Sequence, residues 1–310
     1  MSAPFFTQVA GGLPPADVIW RDAEDGTRLR LAIWPAGPKG MVAVFPGRTE
    51  VIEKYAPVVA DLSARGYGAV VIDWRGQGLS DRLKGKPLLG DVPDFAHYQR
   101  DVAVLRDMLD QVAPDAPRFA LAHSMGGCIA LRALTDGFAP RAVAFSAPMW
   151  GLRLSTATRR AVVAMTRVLG LARMDLREVP GAGVEFRLWD NPFDDNELTT
   201  DPARYAWMQA QVAAHPELRL GAPSLRWLVA ALAETAVLAQ LPAPEIPAYC
   251  GLGTRERIVA SEAIEARMAA WPGGTLDIFD GGLHELLFER DPIRAPFLDR
   301  SVGLFDAHAP

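Results

Sequence analysis

The sequence predicts an α/β fold: a mostly parallel sheet with helices on both faces and a helical lid inserted between two of its strands. Three observations carry this. Short continuous apolar runs, each closed by glycine, proline or aspartate, read as strands buried on both faces. Segments with apolar residues at helical spacing alternate with these runs up to residue 148 and again from residue 242. Between them, from 149 to 241, helical patterns follow one another without a strand. The chain is therefore expected to divide into a first part of the α/β core (1–148), the lid or cap (149–241) and a second part of the core (242–310).

Taken in order, Val18 to Trp20 and Leu29 to Trp34 flank the turn residues Glu24, Asp25 and Gly26, an opening hairpin at an antiparallel edge. Met41 to Phe45 is a buried strand ended by Pro46 and Gly47. Glu50 to Arg65 follows as a helix, with Val51, Tyr55, Val58, Val59 and Leu62 on one face and Gly66 as its stop. Ala69 to Asp73 is the next strand, and a glycine-punctuated loop runs from Arg75 to Ser80. Asp94 to Val112 is a helix. An apolar strand begins at Arg118, breaks sharply over His123 to Gly127, and resumes as an apolar helix to Arg132. Arg141 to Phe145 is the fourth buried strand. Helices over Ser155 to Leu171, Pro202 to Ala214 and Ser224 to Ala239 form the lid. The strand Ala248 to Leu252, a helix from Ser261 to Trp271, the strand Thr275 to Phe279 and a closing helix complete the core.

Half of the 310 residues are hydrophobic and 22% are charged, ample for a packed core and unlike a disordered chain. A net charge of -5 with no basic stripe excludes a nucleic-acid partner. Cys128 and Cys250 have no spacing for metal or redox work, so neither a metal nor another cofactor is expected. The N-terminal residues lack a basic region followed by a long apolar core. The apolar stretch from Trp227 to Leu241 is only 15 residues and contains Glu234. Cytoplasmic residence is the expectation. A peripheral membrane contact and the oligomeric state are left open.

Strand, tight turn and helix around Ser124 are the geometry of a nucleophile elbow, in which a serine stands clear of the sheet on a strained turn between small residues. Gly126 and Gly127 supply the small neighbours, while Ala122 replaces the first glycine of the Gly-x-Ser-x-Gly pattern. The Met125 N–H, opening the helix, is placed to donate to an oxyanion, and by position the Arg48 N–H after the first buried strand is the second donor. The Arg48 side chain is either solvated or a contact for an anionic head group.

A serine hydroxyl needs a base, and the base a third group to hold its tautomer. Among the five histidines, His284 alone lies in a glycine-rich loop after a late strand. His123 adjoins Ser124 but points to the opposite face of an extended strand. His97, His215 and His308 read as surface or packing residues. In the chain order serine, acid, histidine, Glu256 after the strand ending at Leu252 is the favoured acid, with Asp277 and Asp280 as rivals. All these loops lie at the carboxyl ends of strands, where open parallel sheets bind ligands.

Together these landmarks resemble the α/β-hydrolase superfamily, in particular the group of monoacylglycerol lipases and bacterial lysophospholipases. Pro46-Gly47-Arg48-Thr49-Glu50 stands where that group has His-Gly-x-x-Glu. Asp73 to Ser80 matches Asp-x-x-Gly-x-Gly-x-Ser, and His123 to Gly127, Gly253 to Val259 and His284 to Glu289 continue the match over nearly the whole chain. Pro46, Ala122 and Glu256 depart from the group's histidine, glycine and aspartate. The resemblance implies an α/β-hydrolase fold and hydrolysis of a lipid ester with one acyl chain, lysophospholipid or monoacylglycerol. It also implies an acyl pocket built by the lid, for which Trp150, Trp207 and Trp227, with Met165, Leu169, Met208 and Leu228, are candidates. Acyl transfer or peptidase chemistry on the same three residues, or a non-catalytic lipid-binding protein of this fold, are the rival readings.

Overall fold

A computed structural model of the chain describes residues 1–171, 175–179 and 188–309; within the helix at 156–171 the side chains of residues 156, 159 and 167–171, Leu169 among them, lie outside that description. A short helix α1 (Thr7–Ala10) precedes the hairpin β1 (Asp17–Asp22) and β2 (Arg28–Trp34). There follow β3 (Gly40–Phe45), α2 (Ala56–Ala64), β4 (Tyr67–Asp73), α3 (Ala96–Val112), β5 (Arg118–His123), α4 (Met125–Thr135) and β6 (Val143–Ser146). The helices α5 (Thr156–Leu171), α6 (Pro202–Ala214) and α7 (Leu225–Leu238) come next, then β7 (Ala248–Gly253), α8 (Ser261–Ala269), β8 (Thr275–Phe279) and α9 (Asp291–His308).

The eight strands form one sheet in the order β1-β2-β4-β3-β5-β6-β7-β8. β1 and β2 pair antiparallel with each other and β2 antiparallel with β4, and every other pairing is parallel. The expected mostly parallel sheet and antiparallel opening edge are both present. One apolar core, with α3, α4 and α8, covers one face, and a second, with α2 and α9, covers the other. β3, β4, β6 and β7 are buried along their whole length, which explains their uninterrupted apolar runs.

The helix expected over 50–65 is split. Ile52 to Tyr55 form a tighter 3-10 turn, and α2 begins only at Ala56 with Pro57 in its first turn. The Asp73 carboxylate accounts for this, because Oδ1 accepts from the Ile52 N–H at 2.9 Å and pulls the segment toward β4. The same carboxylate explains the glycine-punctuated loop after β4. Oδ2 accepts from the Leu79 N–H at 2.9 Å and pairs with the buried Arg30, and a Cβ on Gly78 would stand only 2.0 Å from it. Arg30 also pairs with Glu53 at 2.8 Å.

Among the described residues between β6 and β7, α5, α6 and α7 follow one another and no strand joins the sheet. Arg132 of α4 ties α7 to the core through Glu234 (2.6 Å), and Asp201 caps α6.

Candidate active site

Ser124 lies between β5 and α4 with φ +49° and ψ -120°, a conformation that side-chain-bearing residues seldom adopt. Its neighbours hold it there. The Ser124 N–H donates to the Ser146 carbonyl at 3.1 Å, and its own carbonyl accepts from Gly127 and Met149 at 2.9 and 2.8 Å. Gly126 passes against the end of β3, and a Cβ on Gly127 would meet Pro148 Cβ at 2.4 Å. Ala122, one register position from the turn, is buried between Phe45 and Phe145 on the flanking strands.

His284 Nε2 lies 2.8 Å from Ser124 Oγ, and His284 Nδ1 lies 2.7 Å from Glu256 Oε2. The other Glu256 oxygen accepts from the backbone N–H groups of Ile258 and Val259 at 2.6 and 2.9 Å, so the carboxylate is fixed at both ends. Burial opposes the Glu256 charge, but the neighbouring His284 and those two N–H donors outweigh it and hold the carboxyl below its usual range. Burial likewise opposes a charged His284, yet the Glu256 carboxylate outweighs it and raises the imidazole above the ordinary histidine value. With Glu256 ionised the ring proton belongs on Nδ1, leaving Nε2 as an acceptor facing Ser124.

The rival acids are engaged elsewhere. Asp277 takes Tyr249 OH at 3.2 Å and Arg300 at 3.0 Å, and Asp280 takes Thr254 Oγ1 at 3.3 Å. His215 stacks on Phe6, and His308 bonds the Leu304 carbonyl within α9. His123 is buried beneath the elbow with Nδ1 3.0 Å from the Ser146 carbonyl, and burial presses its pKa down to about 4.

The turn after β3, which carries Arg48, is held from three sides. Trp74 Nε1 donates to the Pro46 carbonyl at 2.9 Å, Gln77 Nε2 donates to the Gly47 carbonyl at 2.8 Å, and the Gly47 N–H donates to Glu50 Oε2. Thr49 completes it with φ +68°. Arg48 Nη2 donates to the Gly221 carbonyl at 2.6 Å, and the guanidinium lies 5.4 Å from the Trp227 ring centre. Burial lowers its pKa to about 10. The His284 loop is stitched to the segment before α6. The Glu285 N–H donates to the Leu198 carbonyl, and Glu289 accepts from the Leu283, Thr200 and Arg290 N–H groups.

Ser124, His284 and Arg48 open on a cavity of about 350 Å³. Apolar side chains from the segment between β6 and β7 (Leu188, Trp189, Leu198, Met208, Val212, Leu220) line it, with Val51 and Ile258 from the core. None of the three tryptophans expected there is among the described lining residues. Trp150 stacks on Trp271 in the core and donates to the Gly127 carbonyl, Trp207 donates to the Val9 carbonyl beside Phe288, and Trp227 packs on Phe95 and Tyr98. Each finds a carbonyl, a hydroxyl or a ring partner, which settles a large indole better than a substrate cavity does. Lys54 and Glu285, which the sequence did not single out, are buried and line the cavity, and Tyr55 is buried beside Glu50. Lys54 and Glu50 at helical spacing, followed by a glutamate next to His284, were the available signal.

Residues 36–291 match the family described as serine aminopeptidase, S33. Lysophospholipase L2 of Escherichia coli K12 is 33% identical over 279 residues, covering 86% of this chain and 81% of that protein. A probable lysophospholipase L2 of Haemophilus influenzae is 30% identical over 269 residues, covering 86% and 83%. Among solved structures, a soluble variant of monoglyceride lipase from Saccharomyces cerevisiae in complex with a substrate analog aligns over the whole of both chains with a TM-score of 0.77 and 19% identity.

Proposed function

Because the chain belongs to the serine aminopeptidase S33 family of the α/β-hydrolase superfamily, we propose that it is a carboxylic ester hydrolase of single-acyl-chain lipids, lysophospholipid or monoacylglycerol, acting through an acyl-enzyme. One observation carries the mechanism: Ser124 Oγ, His284 and Glu256 are joined by hydrogen bonds of 2.8 and 2.7 Å at the mouth of an apolar cavity. Ser124 Oγ attacks the ester carbonyl and His284 Nε2 takes its proton. Glu256 keeps the other ring proton on Nδ1 and stabilises the imidazolium. The Arg48 and Met125 N–H groups receive the oxyanion, and the protonated His284 then gives its proton to the leaving alcohol. Water, deprotonated by the same nitrogen, releases the fatty acid.

In this reading the segment 149–241 is a lid over the core, and Leu188, Met208, Val212 and Leu220 hold the acyl chain. Cytoplasmic residence and a peripheral membrane contact belong to the same proposal; among the described residues no helix is long and apolar enough to cross a membrane. The peptidase alternative needs a carboxylate to hold a substrate amino group. At the cavity mouth Glu197 and the nearby Asp195 are both paired with Arg257, at 3.3 and 2.9 Å, which favours the lipid reading.

The test is a hydrolysis screen over monoacylglycerols, lysophospholipids, p-nitrophenyl esters of graded length and aminoacyl p-nitroanilides, with fluorophosphonate labelling in parallel. Release of fatty acid from single-acyl lipids, lost together with labelling in Ser124→Ala, is expected. Turnover that survives Ser124→Ala, or anilide cleavage exceeding ester cleavage, overturns the proposal.

A further inference from the structure

The cavity on which Ser124 and His284 open is also lined by charges that ester hydrolysis as just described does not use. Lys54 Nζ donates to Glu50 Oε1 at 2.7 Å and to Glu285 Oε2 at 2.6 Å, and all three side chains are buried. Glu50 Oε2 accepts from Tyr55 OH at 2.6 Å and from the Gly47 N–H. Glu285 directly follows His284. The His123 ring lies 4.8 Å from the His284 ring, with its Nε2 3.9 Å from Glu50 Oε1. By distance alone Glu50, His123 and Glu285 could converge on a metal ion, but the Lys54 ammonium already sits on both carboxylates and supplies the cation.

Burying an ammonium and two carboxylates is a poor way to gain stability, since apolar side chains of similar volume serve as well or better. What this group does is span the sheet. The turn of Gly47 and Arg48 follows β3, and the His284 loop follows β8. The strands β5, β6 and β7 lie between them, so no backbone ladder joins the two loops. Lys54 joins them through side chains, with Glu50 bonded to the turn on one side and Glu285 seated in the base's loop on the other. Burial opposes its charge, but Glu285 and Glu50 outweigh it and keep it an ammonium.

On the reading that Ser124, His284 and Glu256 are the reacting group, we propose that Lys54 is a positioning residue. Its ammonium, shared by Glu50 and Glu285, sets the oxyanion turn against the His284 loop so that donor and base meet one ester. The charged and titratable groups facing His284 are Glu256 from the loop after β7, Glu285 from its own loop, Glu50 and Lys54 from the segment after β3, His123 from the end of β5, and the rim pair Glu197 and Arg257.

The test is steady-state kinetics of the full chain on a p-nitrophenyl ester across pH. Lys54→Met cuts the tie and is expected to lower kcat at least thirtyfold while KM changes less than threefold. Glu285→Gln keeps the shape and an acceptor for Lys54 but removes a negative charge beside His284. The acid limb of its kcat/KM profile is expected to move about half a pH unit or more to lower pH. Loose packing alone would lower the active fraction without moving that limb. A Lys54→Met kcat within threefold of wild type overturns the proposal. Should Lys54→Met fail to fold, an unshifted limb in Glu285→Gln with kcat within twofold of wild type overturns it. Fluorophosphonate labelling keeps the two readings apart: labelling that survives Ser124→Ala overturns the assignment of the reacting serine, whereas Ser124-dependent labelling with unaltered Lys54→Met kinetics overturns only the role of Lys54.

Discussion

A Cβ built on Gly126 would stand 2.0 Å from the carbonyl oxygen of Phe45, so the elbow helix and the end of β3 touch backbone to backbone. Gly126→Ala has no flexible side chain to push aside. It should destabilise the protein by about 1–3 kcal/mol and displace the turn that carries Arg48. Urea unfolding and p-nitrophenyl butyrate turnover report both effects. Gly303, in α9, has nothing within 4 Å of its would-be Cβ, and Gly303→Ala should stabilise by up to about 1 kcal/mol with activity unchanged.

Ser124→Ala and His284→Ala should each lower kcat by about 10⁴-fold or more, with the double variant scarcely worse than either, because residues that act as a unit lose their effect together. Glu256→Gln, which leaves the hydrogen-bonded shape but not the charge, should cost about 10⁴-fold. Unaltered circular dichroism in all of them separates chemistry from folding.

The pH dependence of kcat/KM follows from His284, which must be neutral to take the Ser124 proton. Burial disfavours its charged form, but Glu256 outweighs burial and raises the pKa. The acid limb is therefore expected above the ordinary histidine value of about 6.5. Activity falls as pH drops through the raised pKa, and Glu256→Gln moves that limb to lower pH. A limb below the ordinary histidine value in wild type contradicts this electrostatic account.

Stability should carry a different signature from His123, whose folded pKa is pressed to about 4 mainly by burial. Between about 6.5 and about 4 the unfolded chain takes a proton that the folded protein refuses. The contribution of His123 is therefore fully present above the unfolded value and lost as pH falls through this window. Urea midpoints measured across it should decline more steeply in wild type than in His123→Asn, which keeps a donor near the Ser146 carbonyl.

Selectivity should answer to the residues that line the cavity and not to Trp150, Trp207 or Trp227. Val212→Phe fills space that an acyl chain would occupy and should cut kcat/KM for long-chain esters more than tenfold while leaving the acetate ester within about twofold. Trp150→Leu, in the core against Trp271, should lower stability by a few kcal/mol without shifting the chain-length preference.

The strands that host the site were legible because parallel strands buried on both faces leave uninterrupted apolar runs, as Met41 to Phe45 and Ala69 to Asp73 do. The positions of Ser124, Glu256 and His284 were legible too, since glycine and turn residues at strand ends mark where a sheet presents its loops. Three things were not. The split of the helix at Ile52 depends on the Asp73 carboxylate, a partner 21 residues away. The tryptophans look alike in sequence whether they face a cavity or a carbonyl, and only tertiary packing placed Trp150 and Trp227 in the core and Trp207 against it. The Lys54 group joins residues 231 positions apart, and the helical spacing of Glu50 and Lys54 carries no sign of the distant Glu285.

The order of the strands also bears on synthesis. Ser124 leaves the ribosome 160 residues ahead of His284, and the loop bearing His284 hangs from β8, which pairs with β7 alone. A nascent chain long enough to display the serine still has no base beside it. Esterase activity is therefore expected to switch on only when β8 docks on β7, which makes turnover a reporter of that docking.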